Sequence, residues 1–250
     1  MKKIEFIQQY AELEKETRSE LLELFENSPL PKKELIDHMA LYVHRQMMSR
    51  ILFLNDLYQQ ILDVNGVIME FGVRWGTNLC IYESLRGIYE PYNYTRKIIG
   101  FDTFEGFPSV SPKDGADEII KEGAYAVTED YHEYLSDLLF TRQKLSPLNH
   151  INKYELVKGD ATKTLEEYLK QHPETIISLA YFDFDIYEPT KVCLELILDR
   201  VTKGSIIAFD ELNYPAFPGE TLALMEVMGL KNYRLRRSKF ATVPSYIVFE

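Results

Sequence analysis

Asp183 and Asp185 stand two residues apart where an apolar run ends, in Tyr181-Phe182-Asp183-Phe184-Asp185-Ile186-Tyr187-Glu188-Pro189-Thr190. In an extended segment alternate side chains share a side, so the two carboxylates are expected to project together. Carboxylates that close repel each other unless a cation or hydrogen-bond donors offset their charge. A second acidic pair, Asp210-Glu211, follows another apolar run that ends Ala208-Phe209. Acids gathered at one rim suit a hard cation such as Mg²⁺, and a hydroxyl bound to such a cation loses its proton more readily. The alternative is that the same acids serve as caps with no metal between them.

Three further segments have the composition of ligand-binding turns. Glu70-Phe71-Gly72-Val73-Arg74-Trp75-Gly76-Thr77-Asn78 leads from an apolar run into a helical pattern. Glycines there permit unusual backbone angles and a close approach to the main chain, and a helix start offers unpaired amides to an anion. The spacing is G-x-x-x-G rather than G-x-G-x-x-G, which separates the chain from nucleotide-dependent oxidoreductases. Asp102, in Gly100-Phe101-Asp102-Thr103-Phe104, either accepts the hydroxyls of a ribose or caps the next turn. Asp160, in Lys158-Gly159-Asp160-Ala161-Thr162, either takes the exocyclic amine of an adenine or N-caps a helix. His132 is a second candidate proton acceptor beside Asp183, with a polar surface position as its plain alternative. Trp75 and Tyr187 border the same segments or simply pack in the core.

The elements that must position these residues follow from periodicity. Apolar β-rich runs are expected at Val67–Phe71, Lys97–Phe101, Tyr154–Lys158, Ile176–Phe182 and Gly204–Phe209, and a final pair near Tyr233–Arg236 and Ser245–Phe249. The first five are nearly continuous in apolar residues, as parallel strands buried on both faces require. Helical patterns fall at about 77–89, 161–171, 188–202 and 218–229. This alternation predicts an α/β, Rossmann-like, doubly wound seven-stranded sheet, mostly parallel with one antiparallel edge strand. In such a sheet ligands bind outside the carboxyl ends of the strands, where every acid named above falls. Residues 1–64 read as an N-terminal helical extension broken at Ser28-Pro29-Leu30-Pro31, and 65–250 as the main domain. Ile51, Leu52, Leu54, Leu57, Tyr58, Ile61 and Leu62 give the extension an apolar face that a sheet or a second subunit would cover. Residues 103–152 exceed what a crossover needs and are rich in Gly, Pro, Asp and aromatics, the composition of a lid or substrate wall.

Composition narrows the partners. With 28 Lys and Arg against 39 Asp and Glu, the formal charge of -11 disfavours nucleic acid and anionic membranes. Two cysteines, Cys80 and Cys193, provide neither a disulfide framework nor a metal spacing, which suits a reducing cytoplasm. No signal-peptide core or bilayer-length apolar run is present in the sequence.

Taken together, EFGVRWGTN, GFDTFEGFP, KGDATKTL, YFDFDIYEPT and AFDELNYP resemble the macrocin O-methyltransferase family, from about Arg45 to Glu220. The resemblance implies a class I S-adenosylmethionine-dependent methyltransferase of bacterial type that acts on a hydroxyl of a sugar or glycan-like small molecule. It implies that Glu70, Gly72 and Gly76 line the methionine end of the cofactor, Asp102 the ribose and Asp160 the adenine. Thr77, Thr103 and Asp183 complete the expected cofactor-contacting set. It further implies Mg²⁺ held by Asp183, Asp210 and Glu211, although the family commonly has a second aspartate where this chain has Glu211. A metal-free enzyme of the same fold is the competing expectation. A homodimer is compatible with the apolar N-terminal face.

Overall fold

Four phenylalanines occupy one row of the central sheet, and that row sets the register of the strands. In the computed structural model, which describes the backbone from Lys2 to Glu250 and side chains from Glu12 onward, the sheet has seven strands. They are β1 (Val67–Phe71), β2 (Ile98–Asp102), β3 (Tyr154–Lys158), β4 (Ile177–Phe182), β5 (Val201–Phe209), β6 (Arg236–Arg237) and β7 (Ser245–Val248), in the order β3-β2-β1-β4-β5-β7-β6. The first five are parallel, while β7 runs antiparallel to both β5 and β6. Phe71 pairs with Phe101 and Phe182, and Phe182 with Phe209. Their stacked rings lie 5.3, 4.6 and 5.3 Å apart between centroids and are fully buried. A slip of one residue would turn each ring to the opposite face, so the pairing is strongly specified.

Chain folding divides into two units, Met1–Met48 and Ser49–Glu250. The first contains α1 (Lys2–Glu26) and α2 (Lys32–Leu35), separated by the expected proline break. Within it Phe25 packs edge-on to Tyr42 at 5.0 Å, and the Tyr42 hydroxyl donates to Ser28 Oγ. The second unit begins inside α3 (Arg45–Gln60), well before the boundary expected at residue 64. The reason lies in the helix's own stripe: Phe53, Leu54, Leu57 and Tyr58 are buried in one core with Ile68, Leu179, Tyr181 and Ile206 of the sheet. Leu52 and Leu62, counted in the expected apolar face, are instead about 40% exposed (40% and 39%).

Helices α4 (Thr77–Tyr89) and α5 (Tyr131–Gln143) contribute Leu79, Tyr82, Leu135 and Leu139 to that same core. The opposite face is covered by α6 (Ala161–Gln171), α7 (Tyr187–Ile197) and α8 (Gly219–Val227), through residues such as Leu165, Cys193 and Leu224. The sheet is thus doubly wound, as expected. Three details differ from expectation. Residues 103–152, expected as a lid or substrate wall, contain α5, which supplies the crossover from β2 to β3. The terminal pair forms an antiparallel edge as expected, but its outer strand β6 is only Arg236–Arg237 rather than Tyr233–Arg236. Helix α7 stops at Ile197, and β5 starts earlier, at Val201. No helix of the described residues is long and apolar enough to cross a membrane.

Candidate active site

The phenylalanine row hands its register to the residues just past it. The ladder continues as Gly72 N donates to Phe101 O (3.0 Å), Asp183 N to Phe71 O (2.8 Å) and Asp210 N to Phe182 O (2.9 Å). Gly72, Asp183 and Asp210 therefore lie side by side at the strand tips. Period-two alternation aims the two aspartates toward the face of Glu70 and Tyr181 rather than that of the phenylalanines. Gly72 has φ +95°, and a side chain there would collide with the carbonyl of Asp183.

A residue that sequence reading missed occupies the centre of this group. Arg50 of α3 donates through one terminal nitrogen to Asp183 Oδ2 (3.3 Å) and Asn78 Oδ1 (3.2 Å), and through the other to Asp210 Oδ2 (2.9 Å). The Tyr181 hydroxyl donates to Asp210 Oδ1 (2.5 Å). Burial pushes the Asp183 carboxyl well up from its usual range and Asp210 adds to the shift, while Arg50 pulls against it. Glu70 is buried at the base of the group with its Oε2 unpartnered; burial first, then Asp183, raise its carboxyl well above normal. The missed signal was positional. Residues 50, 53, 54, 57, 58 and 61 lie on one helical stripe, and an arginine on an otherwise buried stripe needs an acidic partner.

Asp102 ends β2 and holds the glycine loop. Its Oδ2 accepts from the amides of Val73 and Arg74, both at 2.7 Å, and its Oδ1 from the amide of Phe104 at 2.5 Å. Gly76, at φ +74°, then turns the chain into α4, and a side chain on it would meet Leu135. Thr77 is the first residue of that helix. Thr103 closes a local turn, donating to Gly106 O (2.7 Å) and accepting from Glu105 N. Asp160 N-caps α6 through Thr162 N (3.0 Å), the plain alternative of its two expected roles. His132 lies in the first turn of α5, with its ring 5.1 Å from Phe104 and its Nε2 buried without a partner; no hydrogen bond joins it to Asp183. Trp75 is 41% exposed and meets Tyr131 edge-on, whereas Tyr187 is buried.

Asp185 lies outside the extended strand on which the shared side of Asp183 and Asp185 was expected. β4 ends at Phe182 and Asp185 takes φ +64°, so the alternation stops before it applies. Another missed residue explains the turn. Buried Glu220, at the start of α8, accepts from the amides of Phe184 (3.0 Å), Asp185 (3.3 Å) and Glu211 (3.3 Å), tying the β4 tip to the β5 tip. Burial, and then Glu211 and Asp210, push the Asp185 carboxyl up to about 8; burial, and then Asp210, bring Glu211 to about 7. Glu220→Gln keeps one oxygen but turns an amide donor toward donors, so an unfolding loss of about 1–3 kcal/mol is expected in urea titrations. A denaturation midpoint equal to wild type would contradict that role.

The insertion is pinned over this side. Asp114, buried, accepts from Ser111 N (2.6 Å) and from Tyr187 N (2.6 Å), so it caps both its own turn and α7. Phe107, Tyr125 and Phe217 form an aromatic wall, with Arg74 over the Tyr125 ring at 4.7 Å.

The residues expected to hold Mg²⁺ are not assembled for it. A divalent cation of this kind needs oxygens converging at about 2.0–2.1 Å. The space between Asp183 and Asp210 belongs to the Arg50 guanidinium, and Glu211 adds a buried, unpartnered Oε2 beside them rather than a third ligand. Among the described residues no three acidic, histidine or cysteine side chains group closely enough to hold an ion.

The sequence profile described as Macrocin-O-methyltransferase (TylF) matches residues 43–227. The crystal structure of CalS11, a calicheamicin methyltransferase, is 45% identical, covering 94% of this chain and 92% of its own, with a TM-score of 0.92. An apo structure of CalS11, described as a TDP-rhamnose 3'-O-methyltransferase of calicheamicin biosynthesis, is 42% identical over 94% and 93%, with a TM-score of 0.83. The O-methyltransferase NovP shares the fold at 18% identity, covering 83% of each chain, with a TM-score of 0.62. Among curated protein sequences none matches significantly.

Proposed function

This chain belongs to the macrocin-O-methyltransferase family of S-adenosylmethionine-dependent enzymes, and from that premise we propose that its acceptor is a sugar hydroxyl on a nucleoside diphosphate. The observation that carries this reading is the 42% identity, over 94% of the chain, to a TDP-rhamnose 3'-O-methyltransferase. S-adenosylmethionine supplies a methyl group on a positively charged sulfur, which the acceptor oxygen takes as the carbon–sulfur bond breaks.

The chain's own residues fit the cofactor. Gly72 and Gly76 keep the β1–α4 loop free of side chains, and Asp102 fixes that loop by its amides. Asp102 Oδ1, which accepts only from the Phe104 amide, retains a lone pair for a ribose hydroxyl, with Thr103 beside it. Glu70 Oε2, buried and unpartnered, is an acceptor waiting for a donor such as the methionine ammonium. Thr77 opens α4 below the loop, and Asp160 stands at the β3 tip for the adenine.

Asp183 accepts the proton from the acceptor hydroxyl. Arg50 engages its Oδ2 and leaves Oδ1 without a hydrogen bond among the described residues. His132 serves this reading only as a boundary of the insertion, since its ring faces Phe104. This reading needs no magnesium, because the guanidinium occupies the space between the acids that would bind it. Alignment of oxygen, methyl and base provides much of the rate in such a displacement.

Purified protein incubated with S-adenosylmethionine and TDP-rhamnose is expected to yield methylated TDP-rhamnose and S-adenosylhomocysteine in equal amounts, read by mass spectrometry. Free rhamnose should react at least tenfold more slowly. Binding of S-adenosylhomocysteine with no methylation of any nucleotide sugar would overturn the acceptor assignment.

A further inference from the structure

Three oxygens from three separate elements converge on Arg50: Asn78 Oδ1 from α4, Asp183 Oδ2 past β4 and Asp210 Oδ2 past β5. The arginine reaches them because Phe53, Leu54 and Leu57 bury the same stripe of α3, which fixes the rotation of the helix about its axis. Asp210 is held from its other side by the Tyr181 hydroxyl, so the oxygen facing Arg50 cannot turn away without breaking that bond. Such an arrangement is what a cation site needs: oxygens from independent elements, each oriented by a neighbour, around a single positive charge.

We propose that Arg50 is a built-in cation that stands in for a divalent metal at the Asp183–Asp210 pair. The guanidinium is permanently charged and its planar fork offers fixed donors, so it orients Asp183 and neutralises the pair without a metal cofactor. A divalent ion entering the same space would meet a like charge within hydrogen-bond distance of its own ligands and would have to displace three hydrogen bonds. Glu211 strengthens the distinction. Its longer side chain adds an unpartnered oxygen beside the pair but does not complete an ion's ligand set. Arg50 is a positioning residue, acting on the acceptor through Asp183. The inference rests on the proposed role of Asp183, but metal binding can be read without any acceptor.

The experiment compares chelator-treated wild type, Arg50→Ala, Arg50→Gln and Arg50→Lys by Mn²⁺ electron paramagnetic resonance, with thermal melts to confirm folding. Wild type and Arg50→Lys, which keep a positive charge, are expected to bind no Mn²⁺ below the millimolar range. Arg50→Ala opens the space and is expected to bind about one Mn²⁺ per chain at least tenfold more tightly than wild type. Arg50→Gln retains most of the stem and reports the same gain if the alanine variant is unfolded. Wild-type methyl transfer should be unchanged by EDTA, whereas kcat should fall more than KM rises in Arg50→Ala and recover in Arg50→Lys. Stoichiometric micromolar Mn²⁺ binding by wild type overturns the proposal, as does loss of wild-type activity in EDTA restored by Mg²⁺. A folded Arg50→Ala or Arg50→Gln that gains no Mn²⁺ binding overturns it equally. Failure of TDP-rhamnose as acceptor would touch the acceptor assignment alone and leave the Mn²⁺ comparison standing.

Discussion

Asp183→Asn is expected to lower kcat by about 10²–10⁴-fold, the usual contribution of a positioned general base. The substitution is nearly isosteric, and its amide oxygen can still accept from Arg50 where Asp183 Oδ2 does now, at 3.3 Å. What disappears is the ability to take a proton. Folding should be little changed, because Asp183 is anchored by its backbone amide to Phe71 O and its carboxylate is not a structural cap. Affinity for S-adenosylhomocysteine, measured by calorimetry, should stay within about threefold of wild type, since a uniform binding contact would move KM rather than kcat. A variant with more than a third of wild-type kcat would show that another group takes the proton. His132→Gln then becomes the informative comparison; with Asp183 as base it should keep kcat within about threefold.

Arg96→Met is expected to cost about 3–5 kcal/mol of unfolding free energy, the range for breaking a buried ion pair by removing one partner. Arg96 is 2% exposed and serves five bonds at once: Glu90 Oε2 (2.9 Å) and Oε1 (3.2 Å), Gly66 O and Ser178 Oγ (both 2.6 Å), and Ile61 O (2.9 Å). It thereby ties the end of α3, the start of β1 and β4 to the loop before β2. For a unit of this size the loss corresponds to roughly 6–20 °C in melting temperature.

The same pair predicts a pH signature. Burial alone would raise the Glu90 carboxyl, but its bonds to Arg96, Tyr58 and Asn93 win, and it lies below its ordinary value. A carboxyl depressed on folding stabilises the protein fully above its unfolded value, about 4.3, and that stability is lost as pH falls through the folded value. In Arg96→Met the burial effect dominates, so acid should cease to destabilise through Glu90. Urea melts of both proteins between pH 3 and pH 7 check this. Parallel stability curves, differing only by a constant, would show that the Arg96 effect is packing rather than charge.

Much of the architecture was legible in sequence because its signals are local. Continuous apolar runs marked β1, β3 and β4 to within a residue, and helical spacing located α4 and α6 without error. Acids following each run pointed to the carboxyl rim of the sheet, and the motif order led to the family. The polar and aromatic character of 103–152 concealed α5, since that helix buries only Leu135, Leu139 and Gln143 and so carries a weak periodic signal.

What composition and spacing determined by themselves was the set of strand tips and the acidic groups on them: Glu70, Asp102, Asp160, Asp183, Asp210 and Glu211. What only the tertiary structure decided was how those charges are balanced. Arg50 is 133 residues from Asp183 and 160 from Asp210, and Glu220 acts on the backbone of residues 184, 185 and 211 rather than on any side chain. No local pattern reports such pairings, because an ion pair depends on distance in space, and that distance exists only once α3 and α8 have packed against opposite faces of the sheet.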